Sequence, residues 1–211
     1  EMKDYEDKCD RNGYDETDSS EEDEQLFAPA NADEETACEE EEEAHDEEEQ
    51  EKKKLEDYIS QQSLWIDSID FSNYVSEGAE QRVFLKDSNH VLKLNDAIYY
   101  TSWTDYFFNL LFHNFFFSDT AYKLIGFTKE DNVLYAVVQQ SYVEMTANTD
   151  LNEVKNFLAS NGFKNTKNND YFNAELGIIL EDLHDENVLT RNNILYFIDT
   201  VFFTTEDFWI I

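Results

Sequence analysis

The chain divides by composition at about residue 56, and this division limits what each part can fold into. Residues 1–56 contain 26 acidic and 6 basic residues and so carry about −20 of the net charge of −34 on the 211-residue chain. Aromatic and β-branched residues are scarce in this segment, so it cannot bury enough apolar surface to offset the entropy lost on folding. We predict a disordered acidic tail over residues 1–56 and a folded domain over residues 57–211.

The composition also bears on the cellular compartment of the chain and on the partners it can bind. Both cysteines, Cys9 and Cys38, lie in the tail, so we expect no disulfide in the folded domain, which fits a reducing cytoplasm. The longest apolar stretch, residues 106–117, is interrupted by polar residues and is too short to span a bilayer. The acidic charge argues against nucleic acid as a partner, whereas a basic protein is a candidate partner of the tail. The chain starts at Glu1 rather than at Met, which leaves open that it is a piece of a longer protein.

Residue patterns after the tail predict strands and helices that are segregated along the chain. Short alternating runs between turn residues predict strands, and apolar residues at helical spacing predict helices. The predicted strands are Phe71–Ser76, Gln81–Lys86, His90–Leu94, Tyr122–Phe127, Val133–Gln140, Val188–Leu189 and Ile194–Ile198. The predicted helices are Lys52–Gln62, Thr101–Phe117 and Asp150–Ser160, with a partly helical segment at Tyr171–Ile179. This order predicts an α+β fold.

Three polar side chains near the C-terminus point to phosphoryl transfer. Asp182 precedes Asn187 by five positions, and Asp199 follows the apolar run Leu195–Ile198. In such an arrangement one carboxylate can orient or deprotonate an attacking hydroxyl, while an amide oxygen and a second carboxylate hold Mg²⁺ against the phosphates. An apolar strand that delivers Asp199 keeps this ligand rigid, as a metal site requires. The alternative is that these side chains only cap a loop and a turn.

The residues around this motif resemble a known group of proteins. The longest similar stretch is Glu175–Leu189, and two shorter ones are Glu77–Val83 and Asn161–Phe163. Over most of residues 65–205 the chain resembles the small serine/threonine/tyrosine kinase domain of polyvalent proteins from bacterial mobile elements. That domain belongs to an atypical branch of the protein-kinase-like fold. The loop after Leu180 is similar to the catalytic loop of aminoglycoside phosphotransferases.

The resemblance implies a compact, kinase-like fold of two lobes. The N-terminal lobe, about residues 65–140, would contain an antiparallel sheet and one helix. Residues 141–211 would form a reduced C-terminal lobe. The sequence does not say whether the phosphate acceptor is a protein or a small molecule.

The resemblance also implies a role for each candidate site residue. Asp182 would be the catalytic base, Lys93 the lysine that binds the ATP phosphates, and Asn187 with Asp199 the Mg²⁺ ligands. Gly78, Val83 and Lys93 are implied to contact the phosphate side of ATP. Gln139, Gln140 and Tyr142 are implied to form a hinge that binds adenine through its backbone. An ammonium group at Lys93 suits phosphate because it is a compact positive charge.

Three functions stay open from the sequence alone. The first is ATP- and Mg²⁺-dependent phosphoryl transfer to a hydroxyl group. The second is a pseudokinase, a nucleotide-binding or scaffold module without catalysis. It is motivated by two features. Gly78 is the single glycine of the phosphate-covering loop, and the predicted helix after Lys93 contains no glutamate that could pair with this lysine. Asp105 and Glu80 are the candidate partners of Lys93. The third is an acidic interaction protein without enzymatic activity.

Overall fold

The computed structural model describes residues 49–77 and 81–209. Residues 1–48 of the predicted tail therefore lie outside the described residues, and so do Gly78 and Glu80. Within the described ranges the chain forms three α-helices and eleven β-strands. None of these three helices is long and apolar enough to cross a membrane.

Five antiparallel strands of the first half of the domain form one sheet, in the order β1-β2-β3-β5-β4. The strands are β1 (Tyr74–Glu77), β2 (Gln81–Asp87), β3 (His90–Asn95), β4 (Lys123–Glu130) and β5 (Val133–Ser141). Helix α1 covers residues 49–61, and α2 (Trp103–Phe116) lies between β3 and β4 along the chain. Short 3-10 helices at Phe71–Asn73 and Ser118–Thr120 flank these elements. This part is the N-terminal lobe.

Shorter strands and one helix make up the C-terminal lobe. A four-stranded antiparallel sheet has the order β11-β8-β7-β6, and β9 pairs with β10 in a separate hairpin. The elements are α3 (Leu151–Ser160), β6 (Lys164–Asn165), β7 (Tyr171–Asn173), β8 (Ile178–Glu181), β9 (Val188–Arg191), β10 (Ile194–Phe197), β11 (Val201–Thr204) and a 3-10 helix at Glu206–Trp209. The α+β prediction is confirmed.

The core of the N-terminal lobe lies between the sheet and the two helices α1 and α2. Ile59 of α1 and Tyr106 of α2 are almost fully buried there against Phe127 and Val138 of the sheet. Each such side chain contributes roughly 2 kcal/mol by leaving water. Residues 49–56, which were predicted from the sequence to belong to the tail, lie in α1, and this helix supplies part of the core.

Helix α1 also supports the start of α2. The Glu51 carboxylate accepts hydrogen bonds from the backbone N–H groups of Trp103 (3.0 Å) and Thr104 (3.1 Å). These are donors that an α-helix leaves without partners at its N-terminus, where a negative charge is also favoured by the helix dipole. Ser102 satisfies a further donor by accepting from Asp105 N. The position of α2 is therefore fixed at its first turn.

The core of the C-terminal lobe gathers around α3 and the strands that surround the loop after β8. Val154, Leu158, Leu180 and Leu183 are all buried there. The predicted partial helix at Tyr171–Ile179 is wrong, because this segment forms β7, a turn and β8. Tyr171 and Asn173 face inwards on alternate positions of a strand, and the turn contains Gly177 at φ +64°, a conformation that favours glycine.

Candidate active site

A cavity of about 450 Å³ lies between the N-terminal sheet and the segment around β9 and β10. One wall comes from β1, β2, β3 and β5, and the other from residues 186–199. The lining residues are Val75, Ser76, Gln81, Val83, Val91, Lys93, Gln140, Ser141, Tyr142, Val143, Met145, Glu186, Asn187, Leu189, Ile198 and Asp199. Lys93, Asn187 and Asp199, which are distant in the sequence, therefore meet in one cavity.

Lys93 is placed by β3, where it pairs with Val138 of β5. Its side chain is buried, and the residue is only 3 % exposed. The Nζ atom donates a 2.8 Å hydrogen bond to the carbonyl oxygen of Ile198 and lies 3.8 Å from Asp199 Oδ2. A buried ammonium needs oxygen partners of this kind, because an unpaired charge is costly to remove from water. Lys93 thus presents a fixed positive charge at the cavity wall, which suits phosphate.

Asp199 lies in the short connection between β10 and β11, so paired strands fix the chain on both sides of it. Its Oδ2 atom accepts a hydrogen bond from the side-chain amide of Gln81 on β2. Its Oδ1 atom lies 3.4 Å from the hydroxyl of Tyr122. Sequence reasoning missed Gln81 and Tyr122, because both are far from Asp199 along the chain and no local pattern signals the contact.

The loop from Asp182 to Asn187 connects β8 to β9 and is organised by Asn187. The Asn187 amide donates hydrogen bonds to the backbone carbonyl (2.9 Å) and to carboxylate Oδ2 (2.7 Å) of Asp182. Asp182 has a φ of +63°, which non-glycine residues adopt only when their surroundings hold them there. These bonds therefore fix the Asp182 carboxylate relative to Asn187, whose side chain lines the cavity.

His184 supports the same carboxylate. The backbone N–H of Glu186 donates a 3.2 Å hydrogen bond to His184 Nδ1. The His184 Nε2 atom lies 3.3 Å from Asp182 Oδ1 and 3.2 Å from the amide nitrogen of Asn187. The two oxygens of Asp182 are thus contacted by two different side chains of its own loop. The sequence signals this local arrangement by placing Asp182, His184 and Asn187 within six residues.

Asp182 lines a second cavity, of about 420 Å³, rather than the first. This neighbouring cavity also contains Asp170, Glu181, Tyr99 and Phe203. Burial, and then the nearby carboxylates of Asp170 and Asp182, raise the pKa of Glu181 above its usual value. Asn187 lines the first cavity and Asp182 the second, so the hydrogen bond between them joins a residue of each cavity.

Four residues predicted to contact ATP line the first cavity, and Lys93, described above, is one of them. Val83 of β2 contributes apolar surface, and Tyr142 lies just after β5 with 40 % of its surface exposed. Gln140 also lines the cavity, but its amide donates hydrogen bonds to the carbonyl oxygens of Thr120 (2.7 Å) and Ile198 (3.0 Å). The Gln140 side chain is therefore used within the protein.

Two predicted ATP contacts, Gln139 and Gly78, are not among the described residues that line the first cavity. Gln139 lies on β5, but its side-chain oxygen accepts a 2.5 Å hydrogen bond from Lys86 Nζ, and the residue does not line the first cavity. Neighbouring residues of a strand point to opposite faces of a sheet, which explains why Gln139 and Gln140 differ. Gly78 lies outside the described residues.

Most of this chain matches the model of a known protein family. Residues 48–206 match a family described as the serine/threonine/tyrosine kinase found in polyvalent proteins. The chain belongs to this kinase family. The matched range contains both lobes and all four residues that were assigned a catalytic or metal-binding role. No curated protein and no solved structure matches the chain.

Membership of the kinase family makes phosphoryl transfer the chemistry of this fold. A kinase needs a nucleotide donor and a phosphate acceptor, and it contributes position and charge rather than a covalent intermediate. In this kinase Lys93 supplies the positive charge of the first cavity. Asn187 and Asp199 place an amide group and a carboxylate on the opposite wall.

The donor set of the first cavity suits Mg²⁺ only in part. Among residues 49–77 and 81–209 there is no group of three or more His, Cys, Asp or Glu side chains that could hold a metal ion. Asn187 and Asp199 nevertheless offer an amide oxygen and a carboxylate, the hard ligands that Mg²⁺ prefers. Two protein ligands leave most positions of an octahedral ion open, and phosphate and water oxygens commonly fill them. The residues present therefore fit a Mg²⁺ that enters together with a nucleotide.

Proposed function

We propose that this kinase domain transfers the γ-phosphoryl group of ATP, in the presence of Mg²⁺, to a hydroxyl group. The observation that carries the proposal is the connection between the two cavities. Lys93, Asn187 and Asp199 line the first cavity, and the amide of Asn187 bonds directly to Asp182 in the second. ATP would occupy the first cavity, and the hydroxyl of the acceptor would approach from the second.

The lining of the first cavity contains apolar and charged side chains that suit the two parts of ATP. Val83 and Val91 of the sheet line one wall, and Leu189 of β9 lines the other. A flat adenine ring between them would remove apolar surface from water on both faces. Lys93 and Asp199 line the same cavity, and the phosphates would be placed beside them. Because ATP brings about four negative charges into an acidic protein, a local positive charge is needed.

Asn187 and Asp199 are the residues that would hold Mg²⁺, through the amide oxygen and the carboxylate. When bound, the ion would neutralise charge on the phosphates and hold them in line for transfer. The amide nitrogen of Asn187 is already committed to Asp182. Its oxygen is therefore the atom that would face the ion.

Asp182 is proposed to act as the base in the transfer step. Its carboxylate would accept the proton of the acceptor hydroxyl as that oxygen forms a bond to the γ-phosphorus. The bond from the γ-phosphorus to the oxygen bridging it to the β-phosphate breaks, and ADP leaves with the electron pair. Asn187 and His184 orient the carboxylate by contacting one oxygen each. Positioning of this kind is the main contribution that a kinase makes to the rate.

A pseudokinase is the second candidate function, and the position of Asp182 favours it. The carboxylate lies in the second cavity, its side chain is 54 % exposed, and both oxygens already contact side chains of their own loop. A domain with this arrangement could bind a nucleotide through Lys93 and Asp199 without transferring phosphate. The two functions differ in whether Asp182 affects turnover.

The experiment that tests the proposal separates binding from transfer. The purified protein is titrated with ATP in a thermal-shift assay, with and without Mg²⁺, and is then incubated with Mg·ATP and analysed for self-phosphorylation by mass spectrometry. A ligand at one hundred times its dissociation constant stabilises the folded state by about 2.7 kcal/mol. Asp182→Asn should retain the shift and lose about 10²- to 10⁴-fold in phosphorylation rate.

Asp185→Asn is the matched control, because Asp185 is an exposed acid of the same loop. It should phosphorylate at close to the wild-type rate. Equal rates for Asp182→Asn and the wild type would remove Asp182 as the base. Stabilisation by ATP without any phosphorylation in the wild type would favour the pseudokinase.

A further inference from the structure

Tyr122 lies where the charged groups of the first cavity meet. Its hydroxyl donates a 2.8 Å hydrogen bond to the carbonyl of Ile198 and lies 3.4 Å from both Lys93 Nζ and Asp199 Oδ1. The Lys93 ammonium is also 5.2 Å from the centre of the Tyr122 ring, which is within the range of a cation–π interaction. Tyr122 is 9 % exposed, so these contacts act in a region of low dielectric constant, where they are strengthened.

Helix α2 holds Tyr122 in this position. The side chain of Asn114 accepts a hydrogen bond from the backbone N–H of Tyr122 (2.6 Å) and donates one to its carbonyl (2.8 Å). The His113 and Tyr122 rings are packed with centroids 4.6 Å apart. Asp105, the acid of α2, is instead bound at the start of the helix, where its carboxylate accepts from Ser102 Oγ at 2.9 Å. The link from α2 to the cavity thus runs through Asn114 and Tyr122.

The backbone carbonyl oxygen of Ile198 is the acceptor that several of these side chains share. It accepts hydrogen bonds from Lys93 Nζ (2.8 Å), the Tyr122 hydroxyl (2.8 Å) and Gln140 Nε2 (3.0 Å). Because Ile198 directly precedes Asp199, these three donors determine where the Asp199 carboxylate lies.

We propose that Tyr122 is a positioning residue for phosphoryl transfer, whose hydroxyl holds Lys93 and the Ile198–Asp199 segment in a fixed relation to α2. The inference rests on the proposed function, because the groups being held are those assigned to the phosphates and the metal ion. Loss of the hydroxyl removes an oxygen partner from Lys93 and a donor from the Ile198 carbonyl. The ammonium then occupies a wider range of positions, and the phosphates lose a pre-arranged partner.

Tyr122→Phe tests this role, because the ring can still pack on His113 while the hydroxyl is lost. Isothermal titration should show that the Kd for Mg·ATP rises about five- to twentyfold, as expected for the loss of a hydrogen-bonding partner of a charged group. Tyr171→Phe is the matched control, since Tyr171 is a buried tyrosine of β7 that lines neither cavity. Its Kd should stay within twofold of the wild type.

Two further measurements distinguish positioning from a general structural role. The unfolding temperature of Tyr122→Phe without ligand should match that of Tyr171→Phe within a few degrees. Adenosine, which has no phosphates, should bind the wild type and Tyr122→Phe equally well in ligand-observed NMR. Asn114→Ala, which removes the support from α2, should weaken Mg·ATP binding, and adding Tyr122→Phe to it should cause little further loss.

The possible results have separate meanings. If the wild type binds Mg·ATP and Tyr122→Phe binds it within twofold, the inference about Tyr122 is overturned while the proposed function stands. The inference is also overturned if Tyr122→Phe loses adenosine affinity or thermal stability in proportion to its loss of ATP affinity. A wild-type protein that does not bind Mg·ATP refutes the proposed function itself.

Discussion

The ammonium of Lys93 lies 3.8 Å from the carboxylate of Asp199, and the two residues come from different lobes of the domain. Lys93 is nearly inaccessible, whereas about a third of the Asp199 side chain is exposed at the cavity wall. The pair therefore places one positive and one negative charge side by side on a shared surface. Such a surface can attract an anionic phosphate and a cation at the same time, which is what a metal–nucleotide complex presents.

Replacement of Lys93 by methionine tests the phosphate-binding half of this pair. Lys93→Met keeps the length of the side chain but removes the charge, so the Kd for Mg·ATP should rise by at least tenfold, or about 1.4 kcal/mol. Isothermal titration measures the change. Lys123→Met is the control, because Lys123 is an exposed lysine at the start of β4, and it should leave the Kd within twofold. Wild-type affinity in Lys93→Met would show that the phosphates bind elsewhere.

Replacement of Asp199 by asparagine tests the metal-binding half. In the wild type we expect a larger thermal shift with ATP and Mg²⁺ together than with ATP alone, and no specific shift with Mg²⁺ alone. Asp199→Asn should abolish the additional effect of Mg²⁺, because a neutral amide is a poorer ligand than a carboxylate. Binding of ATP without metal should be equal or tighter in this variant, since a negative charge beside the phosphates is lost.

Asp119→Asn provides the comparison for the Asp199 variant. Asp119 is an exposed acid in the 3-10 helix after α2, so its variant should respond to Mg²⁺ as the wild type does. An Asp199→Asn protein that keeps the full Mg²⁺ effect would contradict the assignment of Asp199 as a metal ligand.

The local parts of the fold could be predicted from the sequence because their signals lie within a few residues. The hairpin of β4 and β5 turns at Asp131 and Asn132, which both adopt positive φ, and such residues mark turns. Strand β11 was missed because it is short and its partner β8 lies before the whole β9–β10 hairpin. The segment Tyr171–Ile179 was wrongly predicted for a related reason. Its strands pair with other short strands, and the residue pattern of the segment itself does not show this pairing.

The residues of the candidate site likewise divide into those that the sequence could predict and those that it could not. Asp182, Asn187 and Asp199 could be proposed from spacing, since a single loop and one hairpin carry them. The contacts of Gln81 and Tyr122 with Asp199 could not, because they depend on how β2 and the segment after α2 pack against the C-terminal lobe. Pairings over more than seventy positions leave no periodic trace in one sequence.

The contact between α1 and α2 predicts that Glu51 contributes to stability. Its carboxylate accepts from two backbone N–H groups and from the Thr104 hydroxyl at 2.9 Å. Glu51→Gln removes the charge next to the positive end of the α2 dipole and should lower the free energy of unfolding by about 1–2 kcal/mol. Urea unfolding followed by circular dichroism measures the loss. Glu49→Gln, at an exposed position of the same helix, should change it by less than about 0.5 kcal/mol.

His113 makes the stability of the domain depend on pH. The ring is fully buried, and burial, together with the nearby Lys93 charge, lowers its pKa to about 3. Its Nε2 atom lies 3.1 Å from the carbonyl of Thr120, and Nδ1 is buried without a hydrogen-bond partner among the described residues. In the unfolded chain the histidine has a pKa of about 6.5. Between these two values the unfolded state binds a proton that the folded state does not.

The direction in which stability changes with pH follows from this difference in bound protons. The contribution of His113 to stability is complete above about pH 6.5 and is lost as the pH falls towards 3, with a limiting slope of about 1.4 kcal/mol per pH unit. His113→Gln, which keeps a hydrogen-bond donor near Thr120, should therefore lose about 2 kcal/mol less than the wild type between pH 7 and pH 5. Urea unfolding at several pH values measures both curves. His90→Gln, at a partly exposed histidine of β3, should keep the steep wild-type fall. Parallel curves for His113→Gln and the wild type would mean that the buried ring is already protonated in the folded state at pH 5.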